Sequence, residues 1–287
     1  MDEPDNTIQS PHLQPYRMRR LSYAGTFRNP LKSSAIRTIE WLTGKLTLIR
    51  LIRQFEKSGA PLGQPFWPKA LKTMGIEVQT PPEEVAHIPP AGPLVVVSNH
   101  PHGLVDGMVL AELIGRVRTD YKILTRSLLT GIPEIEQFLI PVPFPHEENS
   151  RELSLEMRAE CMEHLKQGGC IVLFPAGRVA SSKTFFGPAI EPEWNPFTAK
   201  MVTRSGASVL PVCFTGHNTR MYLIANKLSA TLRQGLLLHE IRSALFKPQR
   251  PRIGQAIGPE ELGTWADDPR GMLAWLREMT LAMKDKT

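Results

Sequence analysis

A histidine and an aspartate that follow a predicted strand form the pattern with the clearest chemistry in this sequence. The run VVVSNHPHGLVDG, residues 95–107, passes from three valines suited to a buried strand into a turn shaped by Pro101 and Gly103. His100 comes directly after the strand, and Asp106 stands where a helix can begin, because its carboxylate can cap free N–H groups. A carboxylate that fixes the tautomer of an imidazole makes it a general base. The pattern therefore predicts His100 as catalytic base and Asp106 as its orienting partner.

A second histidine in the same turn leaves the identity of the base open. His102 is nearer to Asp106 in the sequence, so it is an alternative base, or a substrate-binding residue beside the base. The two imidazoles and the carboxylate also suit zinc, but no other His or Cys cluster in the sequence completes a coordination shell. We therefore expect neither a metal nor an organic cofactor. For His100 itself, the alternative is a structural histidine hydrogen-bonded at a turn.

The segment FPAGR, residues 174–178, combines a strand end with a turn that can hold an anion. Phe174 and Pro175 lead into the turn, and Gly177 allows the backbone to approach a ligand closely. Arg178 can bind a phosphate or carboxylate through two parallel hydrogen bonds. We expect these four residues to bind substrate, the alternative being a surface arginine on an ordinary Pro–Gly turn.

Three further residues are candidates for substrate binding. Lys122 and Arg126 together suit an anionic ligand, although each alone is typical of a solvated surface charge. Pro211, within VLPV, predicts a strand edge or bulge at the binding site, because proline cannot donate a backbone hydrogen bond.

The candidate residues follow elements that alternate between strand and helix. Strands are predicted at 94–97, 122–124, 139–142, 170–174, 208–214 and 252–256, and helices at 107–114, 134–138, 152–166, 198–203 and 222–234. This alternation predicts an α/β fold with a mixed, largely parallel sheet flanked by helices. Ligands in such sheets bind beyond the carboxyl ends of the strands, where His100, Phe174 to Arg178 and Pro211 are expected to converge.

Residues 32–57 carry apolar side chains at helical spacing, edged by basic ones, and predict an N-terminal amphipathic helical extension. Its stripe consists of Ile36, Ile39, Leu42, Leu46, Ile49 and Ile52, widened by Trp41, Leu48, Leu51 and Phe55. Such a helix either packs on the domain or lies among lipid headgroups. Residues 58–92, with many prolines and little periodicity, are predicted as a linker with one short strand at 76–79.

Composition limits the functional classes. The 287 residues suffice for one large α/β domain, and a net charge of +6 is compatible with an anionic lipid or a nucleic acid. Nucleic-acid binding is not expected, because the basic residues are dispersed and lack an aromatic stacking set. Three cysteines without metal spacing favour a reducing compartment, and we expect no secretory signal and no membrane-spanning segment.

Four segments, in this order, resemble the sequence blocks of the glycerolipid acyltransferases, the family of lysophosphatidic acid acyltransferase. They are NH with the following Asp106, YKILTRSLLTGIPEIEQFLIPVPF at 121–144, IVLFPAGRVA at 171–180 and VLPV at 209–212. Five residues instead of the usual four separate His100 from Asp106, Ala176 replaces a glutamate, and Val179 takes the place of the usual arginine. These departures resemble a divergent branch of hemolysin-like and lyso-ornithine-lipid acyltransferases.

The resemblance implies transfer of a fatty acyl group from acyl-CoA or acyl carrier protein to the hydroxyl of a lysolipid. It favours His100 over His102 as base, because His100 directly follows Asn99, and it implies direct attack on the thioester without a covalent enzyme intermediate. The resemblance covers roughly residues 93–258 and implies an acyltransferase domain at 93–287. Composition and periodicity place a flexible segment at 1–31 and the amphipathic helix and linker at 32–92 before it. The expected location is the cytoplasmic face of a membrane, bound peripherally. A hydrolase with the same dyad and a non-catalytic peripheral membrane protein remain alternatives.

Overall fold

A computed structural model describes residues 21–24, 29–125, 131–143 and 149–285 of the chain. Its main feature is a six-stranded sheet. The strand order is β3-β2-β4-β1-β7-β8, with β8 antiparallel to β7 and the other pairs parallel. A separate antiparallel hairpin is formed by β5 and β6. The strands are β1 (Leu94–Ser98), β2 (Tyr121–Thr125), β3 (Leu139–Pro141), β4 (Cys170–Leu173), β5 (Ser181–Ser182), β6 (Ala189–Ile190), β7 (Ser208–Cys213) and β8 (Arg252–Ile253). The predicted mixed, largely parallel α/β fold is confirmed.

Helices cover both faces of this sheet. They are α1 (Pro30–Glu40), α2 (Leu46–Lys57), α3 (Phe66–Thr73), α4 (Pro82–Val85), α5 (Leu104–Ile114), α6 (Ser150–Lys166), α7 (Pro196–Ser205), α8 (Arg220–Leu228), α9 (Ala230–Gly235), α10 (Leu237–Ala244), α11 (Pro259–Gly263) and α12 (Pro269–Ala282). A π-helical turn, Trp41–Lys45, joins α1 to α2, and 3-10 turns lie at Glu136–Phe138 and Met283–Asp285.

The central strand β1 is buried on both faces, as its run of aliphatic residues predicts. Leu94 and Val96 pack into a core formed with α3 and α5. Val95 and Val97 pack on the other face, in a core formed with α6, α7 and α12. Because β1 lies between β4 and β7, the residues that follow these three strands meet at one edge of the sheet.

Several element boundaries differ from the predictions. The helix predicted from residue 107 begins at Leu104, so Asp106 lies inside its first turn. The helix predicted at 222–234 is two helices, separated at Ser229, whose extended backbone and side-chain hydroxyl cap α9. The last strand is shorter than predicted and ends at Ile253.

Residues 58–92 contain more structure than a linker. Helix α3 has apolar residues at Phe66, Trp67, Ala70 and Leu71, and all four are buried in the core beside α5. This spacing is helical, but eight residues are too few for a clear period. The strand predicted at 76–79 is reduced to a single parallel bridge between Val78 and Gln249.

The N-terminal helical segment, residues 30–57, packs on the domain through one part of its apolar stripe. Ile36, Leu48 and Phe55 are buried, whereas Trp41 is 56% exposed and Leu42 79% exposed. Within the described part of the chain, no helix combines the length and apolarity that crossing a bilayer requires.

All three cysteines of the chain, Cys161, Cys170 and Cys213, are buried thiols. Removal from water disfavours the thiolate and raises the pKa of Cys161 and of Cys170 to about 12.

Candidate active site

The turn after β1 is fixed to the end of β7 by Asn99. The buried Asn99 side chain donates from Nδ2 to the carbonyl of Phe214 at 2.9 Å and accepts the Phe214 N–H at Oδ1, at 2.7 Å. One amide thus satisfies both backbone groups of a residue that has left the sheet. This places His100 beside the loop that follows β7.

Asp106 is the centre of the turn. Its carboxylate is 0% exposed and accepts hydrogen bonds from both histidine rings, with 3.0 Å from His100 Nδ1 to Oδ2 and 3.0 Å from His102 Nδ1 to Oδ1. The backbone N–H groups of His102 and Gly103 donate to Oδ2 at 2.8 and 3.1 Å. These two amides precede α5, so the carboxylate caps the helix as predicted, although from within its first turn.

These contacts change the charge preferences of Asp106 and His102. Burial alone favours a neutral Asp106, but hydrogen bonds from His100 and His102 outweigh it, so the pKa of Asp106 is lowered. Burial likewise opposes a charged His102, yet the hydrogen bond and negative charge of Asp106, aided by Glu240, raise the pKa of His102. The cluster therefore favours an ionised carboxylate next to a protonated His102.

His100 is held in a defined orientation. Because Nδ1 donates to Asp106, its Nε2 carries the lone pair that a base needs. The ring stacks on Phe174, with 3.8 Å between ring centroids and an interplanar angle of 21°. The His100 side chain is 16% exposed, so its imidazole is accessible to a substrate although Asp106 is fully buried.

The backbone of His100 is also held, by residues that the sequence analysis missed. Its N–H donates to Glu191 Oε2 at 3.1 Å, and its carbonyl accepts the N–H of Ala180 at 2.9 Å. Glu191 follows the hairpin strand β6 and lies 91 residues from His100 in the sequence, outside the four blocks. No local signal in the sequence identifies it.

His102 faces the loop after β7. A Cβ atom at Gly216 would lie 2.9 Å from His102 Nε2, so only glycine leaves the imidazole room at this point. The positive φ of 87° at Gly216 independently favours glycine.

A sequence model of the family described as acyltransferase matches residues 53–249, which include this whole cluster. The chain belongs to the acyltransferase family. Its fold is similar to that of the 1-acyl-sn-glycerophosphate (LPA) acyltransferase PlsC from Thermotoga maritima, with a TM-score of 0.50 and 15% sequence identity. The similarity covers 91% of this chain and 86% of that one. A comparison with curated proteins found no match. The family model confirms the acyltransferase assignment that the four blocks predict, and the structural similarity confirms the fold.

The FPAGR turn of this acyltransferase lies against His100. Phe174 supplies the stacked ring, the buried Pro175 accepts the Asn195 N–H at its carbonyl, and Gly177 has a φ of 64°. Arg178 is exposed on the same turn, next to the segment that holds the His100 carbonyl.

One predicted substrate residue, Lys122, does not lie at this edge. Lys122 is in register with Ile171 near the start of β4, and its Nζ lies 2.6 Å from Glu160 on α6. An acid on the covering helix therefore neutralises it, and its prediction as a substrate residue is not supported by the geometry. Arg126 lies outside the described residues.

Pro211 is buried inside β7, opposite a bulge. Three residue steps lead from Val209 to Val212 in β7, whereas four lead from Ile253 to Ile257 in the segment paired with it. The carbonyl of Pro211 accepts the Gly254 N–H at 2.9 Å. Pro211 therefore shapes the strand as predicted, but in the register of Val97, before the strand ends.

The described residues contain no group of three or more His, Cys, Asp or Glu side chains arranged to hold a metal ion. The candidate site is a pair of imidazoles on one carboxylate, enclosed by the turns that follow β1, β4 and β7.

Proposed function

We propose that this acyltransferase moves a fatty acyl group from the thioester of acyl-CoA or acyl carrier protein to the hydroxyl of a lysolipid. The observation that carries the proposal is the contact of His100 Nδ1 with the buried carboxylate of Asp106 at 3.0 Å, beside an accessible imidazole. Lysophospholipids and lyso-ornithine lipid are the acceptor classes that the sequence blocks suggest.

In the proposed reaction His100 Nε2 takes the proton of the acceptor hydroxyl as its oxygen attacks the thioester carbonyl. A C–O bond forms, the C–S bond of the tetrahedral intermediate breaks, and the leaving thiolate receives the proton from the imidazolium. Asp106 stabilises that imidazolium, as the carboxylate of a serine-protease triad does, without a covalent enzyme intermediate. A positioned general base of this kind contributes about 10²- to 10⁴-fold to the rate.

We assign the base to His100 because it directly follows Asn99, as in the glycerolipid acyltransferases that the sequence resembles. The raised pKa of His102 favours its charged form, which cannot accept a proton. We assign His102 to the binding of negative charge in the substrate or the intermediate. Phe174, Pro175, Gly177 and Arg178 form the adjoining wall in this proposal.

We further propose that the enzyme works at a membrane surface, bound peripherally on the cytoplasmic face. The N-terminal helical segment exposes Leu31, Trp41, Leu42 and Leu46 together with Lys32, Arg37 and Arg50. Apolar side chains rimmed by basic ones suit an anionic lipid surface.

The activity is tested by incubating the purified protein with a radiolabelled acyl donor and a panel of lysolipids (phosphatidic, other phospholipid and ornithine). We expect a diacyl product with at least one acceptor, and a rate about 10³-fold lower for His100→Ala. Free fatty acid without diacyl product would instead indicate a hydrolase. Full activity of His100→Ala together with loss of activity in His102→Ala would transfer the role of base to His102.

Membrane binding is tested by cosedimentation with vesicles that contain anionic phospholipid. The double variant Trp41→Ser, Leu42→Ser is expected to bind at least 10-fold more weakly, since each buried apolar side chain contributes about 1.5–3 kcal/mol. Leu155→Ser, at an exposed leucine of α6, is the matched control. Equal binding of all three proteins would contradict the assigned surface.

A further inference from the structure

A second buried carboxylate lies beside the proposed base. Glu191 is 5% exposed and follows the β5–β6 hairpin. Its Oε2 accepts the His100 N–H at 3.1 Å, and its Oε1 accepts Trp194 Nε1–H at 3.3 Å. Both carboxylate oxygens are thus committed to donors within the protein.

The two ends of the hairpin hold both sides of His100. Ala180, directly before β5, donates its N–H to the His100 carbonyl, and Glu191, directly after β6, accepts the His100 N–H. The Cα of His100 therefore lies between two fixed peptide groups. Because its backbone is held on both sides, the His100 side chain contacts Asp106 and Phe174 with little rotational freedom.

The loop that carries Glu191 is itself fixed. Arg277 of α12 donates from Nε to the carbonyl of Pro192 at 3.0 Å and from Nη2 to the carbonyl of Glu191. Trp194 is buried in the core beside α7 and α12. The carboxylate is consequently held from the opposite face of the sheet and cannot follow His100 if the β1 turn moves.

The hydrogen bonds of Glu191 fit its ionised form. Burial raises the pKa of Glu191, but both side-chain contacts are donated to the carboxylate, and a protonated acid would need an acceptor. A negative charge at this position also attracts a charged His100 ring.

We propose that Glu191 is a positioning residue for acyl transfer, which fixes the backbone of His100 and stabilises its imidazolium. This inference rests on the proposed function, because it assigns Glu191 to the same base. It predicts that Glu191 acts on kcat and on pH dependence rather than on substrate affinity.

The test compares Glu191→Ala, Glu191→Gln and Glu193→Gln, the last an exposed glutamate of the same loop. We expect kcat of Glu191→Ala to fall about 10- to 100-fold with KM nearly unchanged, because a misplaced base loses reactive geometry. Glu191→Gln keeps an acceptor but not the charge, so it should retain more activity and move the acidic limb of the kcat/KM profile to lower pH. Glu193→Gln should match the wild type in both measurements.

A titration of the His100 ring by NMR tests the same inference without substrate. Its midpoint should move to lower pH in Glu191→Gln, because the imidazolium loses a neighbouring negative charge. If thermal unfolding shows that Glu191→Ala does not fold, the inference is tested with Glu191→Gln alone, by its kinetics and its NMR midpoint. A wild-type kcat in Glu191→Ala, or an unmoved midpoint in Glu191→Gln, overturns the inference. Absence of acyl transfer by the wild type would refute the proposed function, whereas the NMR titration would still test the role of Glu191.

Discussion

Two buried polar centres lie at opposite ends of the sheet and do different work. Asp106 lies beyond the carboxyl ends of the strands, and Arg118 lies before their amino ends. Arg118 is 4% exposed and directs all five of its N–H groups to acceptors. These are the two carboxylate oxygens of Asp120 and the carbonyls of Pro89, Gly92 and Gly168, at residues that precede β1, β2 and β4.

The two centres differ in whether any of their polar atoms remains without a hydrogen bond. All N–H groups of Arg118 are bonded, so this centre only connects the beginnings of the strands. Asp106 is equally saturated, but two of its four donors are imidazoles. Among the described residues, no hydrogen bond engages the Nε2 atom of His100 or of His102. Burial with full hydrogen bonding is thus common to both centres, and the unbonded Nε2 atoms distinguish the centre that we propose as the active site.

The largest effect is expected for Asp106→Asn. Turnover should fall about 10²- to 10⁴-fold, because the amide fixes neither the tautomer nor the charge of His100. The free energy of unfolding should fall by about 1–3 kcal/mol, since an amide N–H₂ replaces an acceptor among four donors. Steady-state kinetics and urea unfolding measure the two effects, and near-full turnover of the folded variant would contradict the role of Asp106.

Arg118→Met should show the opposite pattern. Loss of five hydrogen bonds in a buried position should lower the free energy of unfolding by about 2–4 kcal/mol. The kcat of the folded fraction should stay within about twofold of the wild type, because the centre lies at the other end of the sheet. A kcat of the folded fraction that falls by clearly more than about twofold would contradict the different roles of the two centres.

His102→Gln should change how stability depends on pH. Because the pKa of His102 is raised above 6.5 in the folded state, its protonation stabilises the fold below that pH. This contribution disappears as the pH rises through the higher pKa of the folded state. The wild type should therefore lose its advantage over His102→Gln as the pH rises from below 6.5 through the folded-state pKa, by about 1.4 kcal/mol for each pH unit that separates the folded-state pKa from the unfolded-state pKa. Urea unfolding at several pH values measures the difference, and a difference that grows with pH would contradict the sign.

The smallest effect is expected for Lys122→Met, in strand β2 of the sheet. The pair with Glu160 is partly exposed, so its loss should change the free energy of unfolding by less than about 1 kcal/mol. The kcat and KM values should be unchanged, with Glu160→Gln as control. A raised KM for the acceptor would restore Lys122 to the substrate site.

The sequence predicts the strands of the six-stranded sheet and the contact between His100 and Asp106 well, because both depend on local patterns. The valines before His100 define β1 by their hydrophobicity, and the spacing to Asp106 lets one turn close on itself. The FPAGR turn follows β4 as predicted, so Phe174 meets His100 in the β1 turn. The alternation of elements correctly predicts that these strands run parallel.

Long-range contacts are not predictable in this way. Glu191 reaches His100 from a hairpin 91 residues away, and nothing near it in the sequence marks a partner. Lys122 has a neutralising acid on a helix that packs across its strand, which no spacing reveals. Helix α3 resembles a linker in the sequence because its apolar residues span fewer than three turns.

The burial of its three cysteine thiols allows the activity of this protein to be followed with a thiol reagent. In the proposed reaction each turnover frees one thiol from the acyl carrier, and a reagent such as Ellman's disulfide reports it as colour. Cys161, Cys170 and Cys213 are buried, and Cys161 and Cys170 are protonated at neutral pH because their pKa values are about 12, so the folded enzyme adds little background. The same reagent reacts with all three after denaturation, and one colorimetric signal therefore counts product in native buffer and unfolded chains in urea.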